Sequence, residues 1–268
     1  MHRPITFEPN KLRQKMATDR LMVGSVITSM APGMMHAAGF AGLDFIRIDA
    51  EHMFARDERM EFVLQTALAA GVTAIVRVDR DDDFMARKIL ELGAGGILFP
   101  QLESVAEVVH TVRTTKFPPK GIRGYSSLCW SGGFGAKTGA DWVKWSDSEP
   151  LVGIMIETHR TESCLQEMIA VEGVDFVLFG PSDYSMSLGL GRTMKDHPQV
   201  LGAFKRTIAV AKKLGKPVMM GLGIGNEEIR QYHEMGVRMF ELDHDIGIVR
   251  KVWSEKVDFI ESLQASGS

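Results

Sequence analysis

At 268 residues, 45% of them hydrophobic and 24% charged, the chain has the make-up of an ordinary globular enzyme and the length of one α/β barrel. A formal net charge of −3 with no basic stripe excludes nucleic acid and anionic membranes as expected partners and leaves small molecules or further copies of the chain. Cys129 and Cys164 are too few for a disulfide framework or a cysteine metal cluster, and no apolar run approaches the ~18 residues of a membrane span or forms a secretion signal, so a cytoplasmic location is expected.

The opening segment 10–17 reads as a short polar helix capping the bottom of a barrel. Residues 21–27 are the first strand candidate, followed by a Met-rich segment in which Ala31-Pro32-Gly33 marks a turn into a helix. Phe45 to Asp49 is a second strand, closed by Asp49, Glu51 and His52, and a helix over 61–70 ends at Gly71. The strand from Thr73 ends at Arg77, and the alternation repeats through a helix over 84–92, a strand over 96–99 and a helix over 105–114. Strand, helix and strand in regular succession predict a parallel sheet, and their regularity predicts one closed (β/α)8 barrel spanning 1–268. Residues 118–150, rich in Gly, Ser and Trp, break the pattern and are expected to form a long ordered lid or subunit contact. Leu151 to Glu157, Asp175 to Gly180, Pro217 to Gly221 and Met239 to Leu242 complete eight strands, and a helix over 249–263 leads to a frayed polar tail.

Barrel chemistry sits where strands end, and these strand ends bring Asp49, Glu51, His52, Arg77, Glu157 and Asp183 to one bowl. Glu157 and Asp183, carboxylates from neighbouring strands with no cysteine or second histidine nearby, form a hard oxygen site suited to Mg2+ or Mn2+ with waters retained; other divalent ions fit the same description. A substrate with adjacent carboxylate and keto oxygens would replace two of those waters, which favours enolate chemistry. His52 is the expected base, Asp49 the residue that orients its ring, and Arg77 the fixed cation for the developing enolate oxygen. The turn Gly180-Pro181-Ser182 is expected to receive a substrate carboxylate through main-chain N–H groups. Arg47 is expected to point away from the bowl, out of phase with Ile46 and Ile48.

Asp49-Ala-Glu-His52, Ile75-Val-Arg77, Phe99-Pro-Gln101, Gly121-Ile-Arg-Gly124, Ile156-Glu-Thr158, the run from Val171 to Asp183 and Gly225-Asn-Glu227, in that order over roughly residues 10–250, resemble the HpcH/HpaI aldolase family. The resemblance implies a metal-dependent class II aldolase that reversibly cleaves 4-hydroxy-2-oxo acids into pyruvate and an aldehyde. It places the metal on Glu157 and Asp183, proton transfer on His52 with Asp49, and the enolate beside Arg77. It also implies a C-terminal helix exchanged between subunits in a homohexamer, a trimer of dimers. Departures concern the substrate: Met155 stands where many relatives have Gln, Gly223 where an aliphatic residue borders the aldehyde pocket, and Asp243 and His244 where small or apolar residues are usual. The competing readings are an oxaloacetate decarboxylase, a citrate-lyase-type lyase, and a non-catalytic barrel serving as a binding or scaffold subunit. A Schiff-base aldolase is not expected, because no strand ends in lysine; Lys213 and Lys216 precede a strand, on the opposite face.

Overall fold

The computed structural model describes residues 7–53, 59–191, 195–223 and 225–266. Eight parallel strands close in sequence order into a barrel: β1 Met22–Ile27, β2 Phe45–Asp49, β3 Thr73–Arg77, β4 Gly96–Phe99, β5 Leu151–Ile156, β6 Phe176–Phe179, β7 Val218–Gly221 and β8 Met239–His244. Around and between them run α1 Lys11–Met16, α2 Pro32–Ala41, α3 Arg59–Ala70, α4 Asp83–Glu91, α5 Val105–Thr115, α6 Gly139–Ser148, α7 Leu165–Ala170, α8 Pro181–Ser187, α9 Pro198–Lys213, α10 Asn226–Met235 and α11 Asp245–Ser266. The predicted barrel and all eight predicted strands are present, each within two residues of its expected limits.

Alternation along the strands divides the core into two layers. Ile46, Ile48, Val76, Ile97, Ile154, Val177 and Met220 face outward and join residues of the helices in one buried cluster. Phe45, Ile75, Leu98, Leu151, Met155, Phe176, Met219 and Met239 face inward and form a second, closed from below by Leu12 of α1. The α1 cap is fixed by Asn10, whose side-chain oxygen accepts from the Leu12 and Arg13 N–H groups, and by a two-pronged Arg13–Asp175 pair at 2.8 Å. Within the inward layer four strands change chemistry as they climb. Phe45 gives way to Arg47 and Asp49, Ile75 to Arg77, Met155 to Glu157, and Met239 to Glu241. The apolar bottom secures the fold and the ionisable top holds the candidate chemistry.

Arg47 is therefore a correction. It is buried and inward, in phase with Asp49, whereas Ile46 and Ile48 face the helices. Both faces of a barrel strand are apolar, so hydrophobicity alone cannot say which parity is the interior.

The stretch 118–150 is ordered and contains α6 rather than loop alone. One of its aromatic residues is core and others are exposed, Tyr125, Trp130 and Phe134 among them. Trp142 is fully buried against Phe117 and Tyr125, with ring centroids at 5.3 and 5.2 Å, while the Trp130 and Trp145 indoles donate to Glu61 and to the Glu8 carbonyl. None of these tryptophans is among the residues that line the cleft at the strand ends. α11 is the reverse case. Asp245 anchors its start by accepting from the backbone and hydroxyl groups of Thr28 and Ser29, but residues 251–264 are all exposed, including Trp253, Phe259 and Ile260. No described helix is long and apolar enough to cross a membrane.

Candidate active site

A cleft of about 290 Å3 opens at the C-terminal ends of β4, β5 and β6, lined by Gln101, Glu157, Asp183, Arg80, Arg160 and Ser187 among others. A larger hollow, about 430 Å3, lies at the opposite end beside Asn10, Gly95 and Pro150 and contains none of the strand-end groups. The smaller one holds the strand-end carboxylates Glu157 and Asp183 and is the candidate site.

Glu157 follows β5 directly and is 5% exposed. Burial, followed by the negative charges of Asp183 and Glu51, raises its carboxyl to about 7, although the Gln101 main-chain N–H donates to Oε1 and Arg77 pulls the other way. Gln101 takes a left-handed conformation (φ 54) just beyond β4, and its side chain also donates to Glu51 Oε1 at 2.9 Å. That turn is held from behind by the capping box of α5, in which Ser104 and Glu107 satisfy each other's backbone N–H groups. Gly180, at the end of β6, makes room for the carboxylate. A Cβ there would lie 2.8 Å from Glu157 Cβ and 3.0 Å from Oε2. Asp183, in the first turn of α8, is exposed at the cleft wall.

Arg77 is the hub on the other side. It meets Asp49 through both Nε (3.1 Å) and Nη2, and Glu51 through Nη1 at 3.1 Å. Burial alone would raise the Asp49 carboxyl, but the hydrogen bonds and charge of Arg77, the charge of Arg47 and the His52 N–H together hold it below the usual carboxylate range. Asp49 Oδ1 also accepts from the Glu51 and His52 main-chain N–H groups at 3.1 and 3.3 Å, which folds the chain after β2 into a tight turn. Asp49 thus holds the backbone of His52, not its ring, which corrects the expectation that it orients the imidazole. The ring is 62% exposed at the rim, with Nε2 3.5 Å from Glu51 Oε2.

The expected carboxylate cradle is also revised. The Gly180 N–H donates to the Ile156 carbonyl at 3.0 Å and Pro181 has none, so only the Ser182 and Asp183 N–H groups in the first turn of α8 lack an intrahelical acceptor. Of the departures noted in the sequence, Met155 is buried with its sulfur 3.9 Å from Arg77 Nη1, and Gly223 is exposed with its N–H donating to Glu228. Asp243 and His244 are half-exposed and lie 3.2 Å apart. Sequence reasoning gave no role to Gln101, although its place directly after a strand end was visible, and it gave Arg47 the wrong face.

The donor set can be tested against a divalent cation. Glu157 and Asp183 present oxygen only, Glu157 is buried with negative neighbours, and the glycine beside it keeps the space around its carboxylate clear. Burial first, and then the negative charges of Asp183 and Glu51, raise this carboxyl to about 7, and a cation at the pair would offset all three, so the residues fit one. Among the described residues no third histidine, cysteine or carboxylate joins the pair as a ligand, consistent with a hard ion that keeps water or takes substrate oxygens.

Comparison with known proteins finds relatives over nearly the whole chain. A family model described as HpcH/HpaI aldolase/citrate lyase matches residues 24–251. The 5-keto-4-deoxy-D-glucarate aldolase of Citrobacter koseri is 30% identical over 253 residues, which is 93% of this chain and 96% of that protein. Among solved structures, a HpcH/HpaI aldolase/citrate lyase family protein from Burkholderia cenocepacia J2315 superposes with a TM-score of 0.87 at 26% identity, covering 94% of this chain and 99% of that one. The HpcH/HpaI aldolase from Desulfitobacterium hafniense DCB-2 gives 0.84 at 25% identity, covering 93% and 96%.

Proposed function

Since the chain belongs to the HpcH/HpaI aldolase/citrate lyase family, we propose that its strand-end residues carry out the retro-aldol cleavage of a 4-hydroxy-2-oxo acid to pyruvate and an aldehyde, and the reverse condensation. The protein is a carbon–carbon lyase of the class II aldolase type, which works with a divalent metal. The observation that carries the assignment of roles is Glu157, a buried carboxyl raised to about 7 beside Asp183 and one arginine away from Asp49.

Glu157 and Asp183 would hold the cation, Mg2+ or Mn2+, which when bound supplies positive charge to the carboxylate and keto oxygens of the substrate. Ser182 and Asp183 offer main-chain N–H donors to the substrate carboxylate. Cleavage breaks the bond between C3 and C4. The 4-hydroxyl proton passes to His52, the electron pair of the bond moves into the C2–C3 enolate, and the aldehyde leaves. His52 then returns a proton to C3, giving the methyl group of pyruvate. Arg77 stands by the oxygen that becomes negative. Its two carboxylate partners fix the guanidinium before substrate arrives, so little reorganisation is needed when the charge develops. The exposed position of the His52 ring suits a base that must meet the part of the substrate farthest into solvent.

The chain works as a homo-oligomer in this reading. A helix of 22 residues whose positions 251–264 are all exposed, with Trp253, Val257 and Ile260 spaced along one side, is covered by a second copy.

Exchange of pyruvate methyl protons into D2O tests the enolate half-reaction without knowledge of the aldehyde. Wild-type protein should exchange with Mg2+ or Mn2+ and stop with EDTA, and His52→Ala should exchange far more slowly. Absence of exchange in metal-loaded wild type would refute the reading. The first full substrate to assay is 5-keto-4-deoxy-D-glucarate, on which the Citrobacter koseri relative is named to act.

A further inference from the structure

The larger hollow at the opposite end of the barrel, about 430 Å3, shares no lining residue with the cleft and has no part in the steps above. Its volume falls within the roughly 300–1,000 Å3 of small-molecule pockets. It is bounded by α3, by the turns leading into β3, β4 and β5, by the start of α1 and by the stretch 118–150. The turn into β4 adds no bulk. Gly93 closes α4 at φ 92, and a Cβ on Gly95 would lie 2.5 Å from Thr73 Cγ2, so neither position can carry a side chain into the space. The walls are apolar: Leu64, Leu68, Leu90, Trp130 and Trp145. Leu68 is 66% and Trp130 41% exposed, so part of this apolar surface is open to an incoming molecule.

Most polar groups of the lining are already engaged. Asn10 donates to the Gly95 and Glu149 carbonyls and accepts from α1, Gln65 donates to the Leu92 carbonyl at 2.7 Å, and the Trp145 indole donates to the Glu8 carbonyl. Of the two lining carboxylates, Glu149 accepts the Asn10 main-chain N–H at 2.6 Å and Glu8 is exposed. The ammonium groups are left over. Among the described residues neither Lys11 nor Lys137 pairs with a carboxylate, and both line the hollow. Lys137 Nζ lies 5.0 Å from the Trp145 ring centroid and 5.7 Å from that of Phe7. The rings hold the ammonium in place but give its three N–H groups no oxygen to donate to. Lys11 Nζ sits over the turn into β3, 3.3 Å from where a Cβ on Gly71 would be.

A third cation stands behind the wall. Arg123 is 3% exposed and donates through Nη1 to Ser146 Oγ at 2.9 Å, and Ser146 lines the hollow. Its Nε and Nη2 have no hydrogen-bond partner among the described residues. Burial lowers this guanidinium only to about 10, against the raising charges of Glu91, Cys129 and Asp147, so it stays charged at neutral pH. Apolar walls with two uncommitted ammonium groups, backed by a buried guanidinium, match a molecule that is apolar over most of its surface and anionic at one end.

We propose that this hollow is a second ligand site, which takes a small molecule with an apolar ring packed against the leucine and tryptophan walls and a single carboxylate bound by Lys137 and Lys11. The site is independent of the aldolase reading, because none of its residues takes part in that chemistry.

The test is isothermal titration of metal-loaded protein, saturated with pyruvate to occupy the cleft, with 3-phenylpropionate, its neutral counterpart 3-phenylpropan-1-ol and the cationic 3-phenylpropylamine. The acid should bind once per chain and change the tryptophan emission, since Trp130 and Trp145 line the hollow. The alcohol and the amine should bind at least about tenfold more weakly, the effect of losing a charge-assisted hydrogen bond. Lys137→Met should weaken the acid about tenfold and leave the alcohol unchanged, with proton exchange into pyruvate unaltered. Should that variant fail to fold by circular dichroism, Leu68→Glu decides: it changes an exposed position of α3 and sets a negative charge on the wall, so it should also weaken the acid while sparing exchange. No binding of the acid, equal binding of acid and alcohol, binding abolished by pyruvate, or an acid affinity unmoved in the folded variants overturns the proposal. Absence of proton exchange in wild type, with the acid still bound, removes the aldolase reading and leaves this site standing.

Discussion

The charge on Glu157 makes the stability of the metal-free protein depend on pH in an unusual direction. An isolated glutamate titrates near 4.5, whereas burial and the neighbouring Asp183 and Glu51 raise this one to about 7 in the fold. Between those values the folded protein keeps a proton that the unfolded chain releases. The unfolded state therefore binds fewer protons, and stability falls as pH rises from about 4.5 to about 7, then levels off. A shift of roughly 2.5 pH units at about 1.36 kcal/mol per unit amounts to about 3 kcal/mol, or about 6–12 °C in Tm for a chain of this size. Glu157→Gln keeps the shape and removes the titration. Thermal unfolding of EDTA-treated protein should show wild type and the variant converging near about pH 4.5 and separating by several degrees by about pH 8, with the variant the more stable. Mn2+ should reverse the order above neutrality, because it stabilises only the protein that retains the carboxylate, and the affinity of wild type for Mn2+ should fall about tenfold per unit as pH drops below about 7. Parallel Tm curves for the two metal-free proteins across this range would refute the assignment of Glu157 as a buried, uncompensated carboxyl.

Three further outcomes are expected. Gly180→Ala places a methyl 2.8 Å from Glu157 Cβ and 3.0 Å from Oε2, so it should displace the carboxylate, cost about 1–3 kcal/mol in denaturant unfolding and weaken Mn2+ binding at least about tenfold by titration calorimetry. Arg77→Leu leaves Asp49 and Glu51 buried without their cation and should destabilise by about 3–5 kcal/mol and abolish proton exchange into pyruvate, while Asp49→Asn, which keeps a hydrogen bond to Arg77, should cost less in unfolding free energy. Trp253→Glu, on the face of α11 that its own chain leaves bare, should lower the assembly state seen by light scattering without altering the circular dichroism of the barrel; an unchanged mass would remove α11 from the subunit interface.

Much of the architecture was legible because its signals are local. Apolar runs ending in Asp49, Arg77, Glu157 and near Asp183, with helical stretches between strands, repeat as a parallel α/β sheet requires, and the structure returns eight strands closed in sequence order. The segment 118–150 reads less well. Its glycines suggest loop, and whether Trp142 packs inward or outward depends on Tyr125 of the same stretch and Phe117 just before it.

What the sequence determined by itself is which residues stand at the strand ends, since a strand's length and its last residue are properties of a few neighbouring positions. The partner of each ionisable group was decided by the tertiary structure. Arg77 could have served as a free cation but is bound to Asp49 and Glu51; Asp49 could have held the His52 ring but holds its backbone; the Gly180 N–H could have met substrate but completes a bond to β5. Arg47 shows the reason most plainly. Its strand is apolar on both faces, so alternation gives two equal choices of interior, and only closure of the ring, bringing Glu241 within 2.6 Å across Gly24, determines which is real.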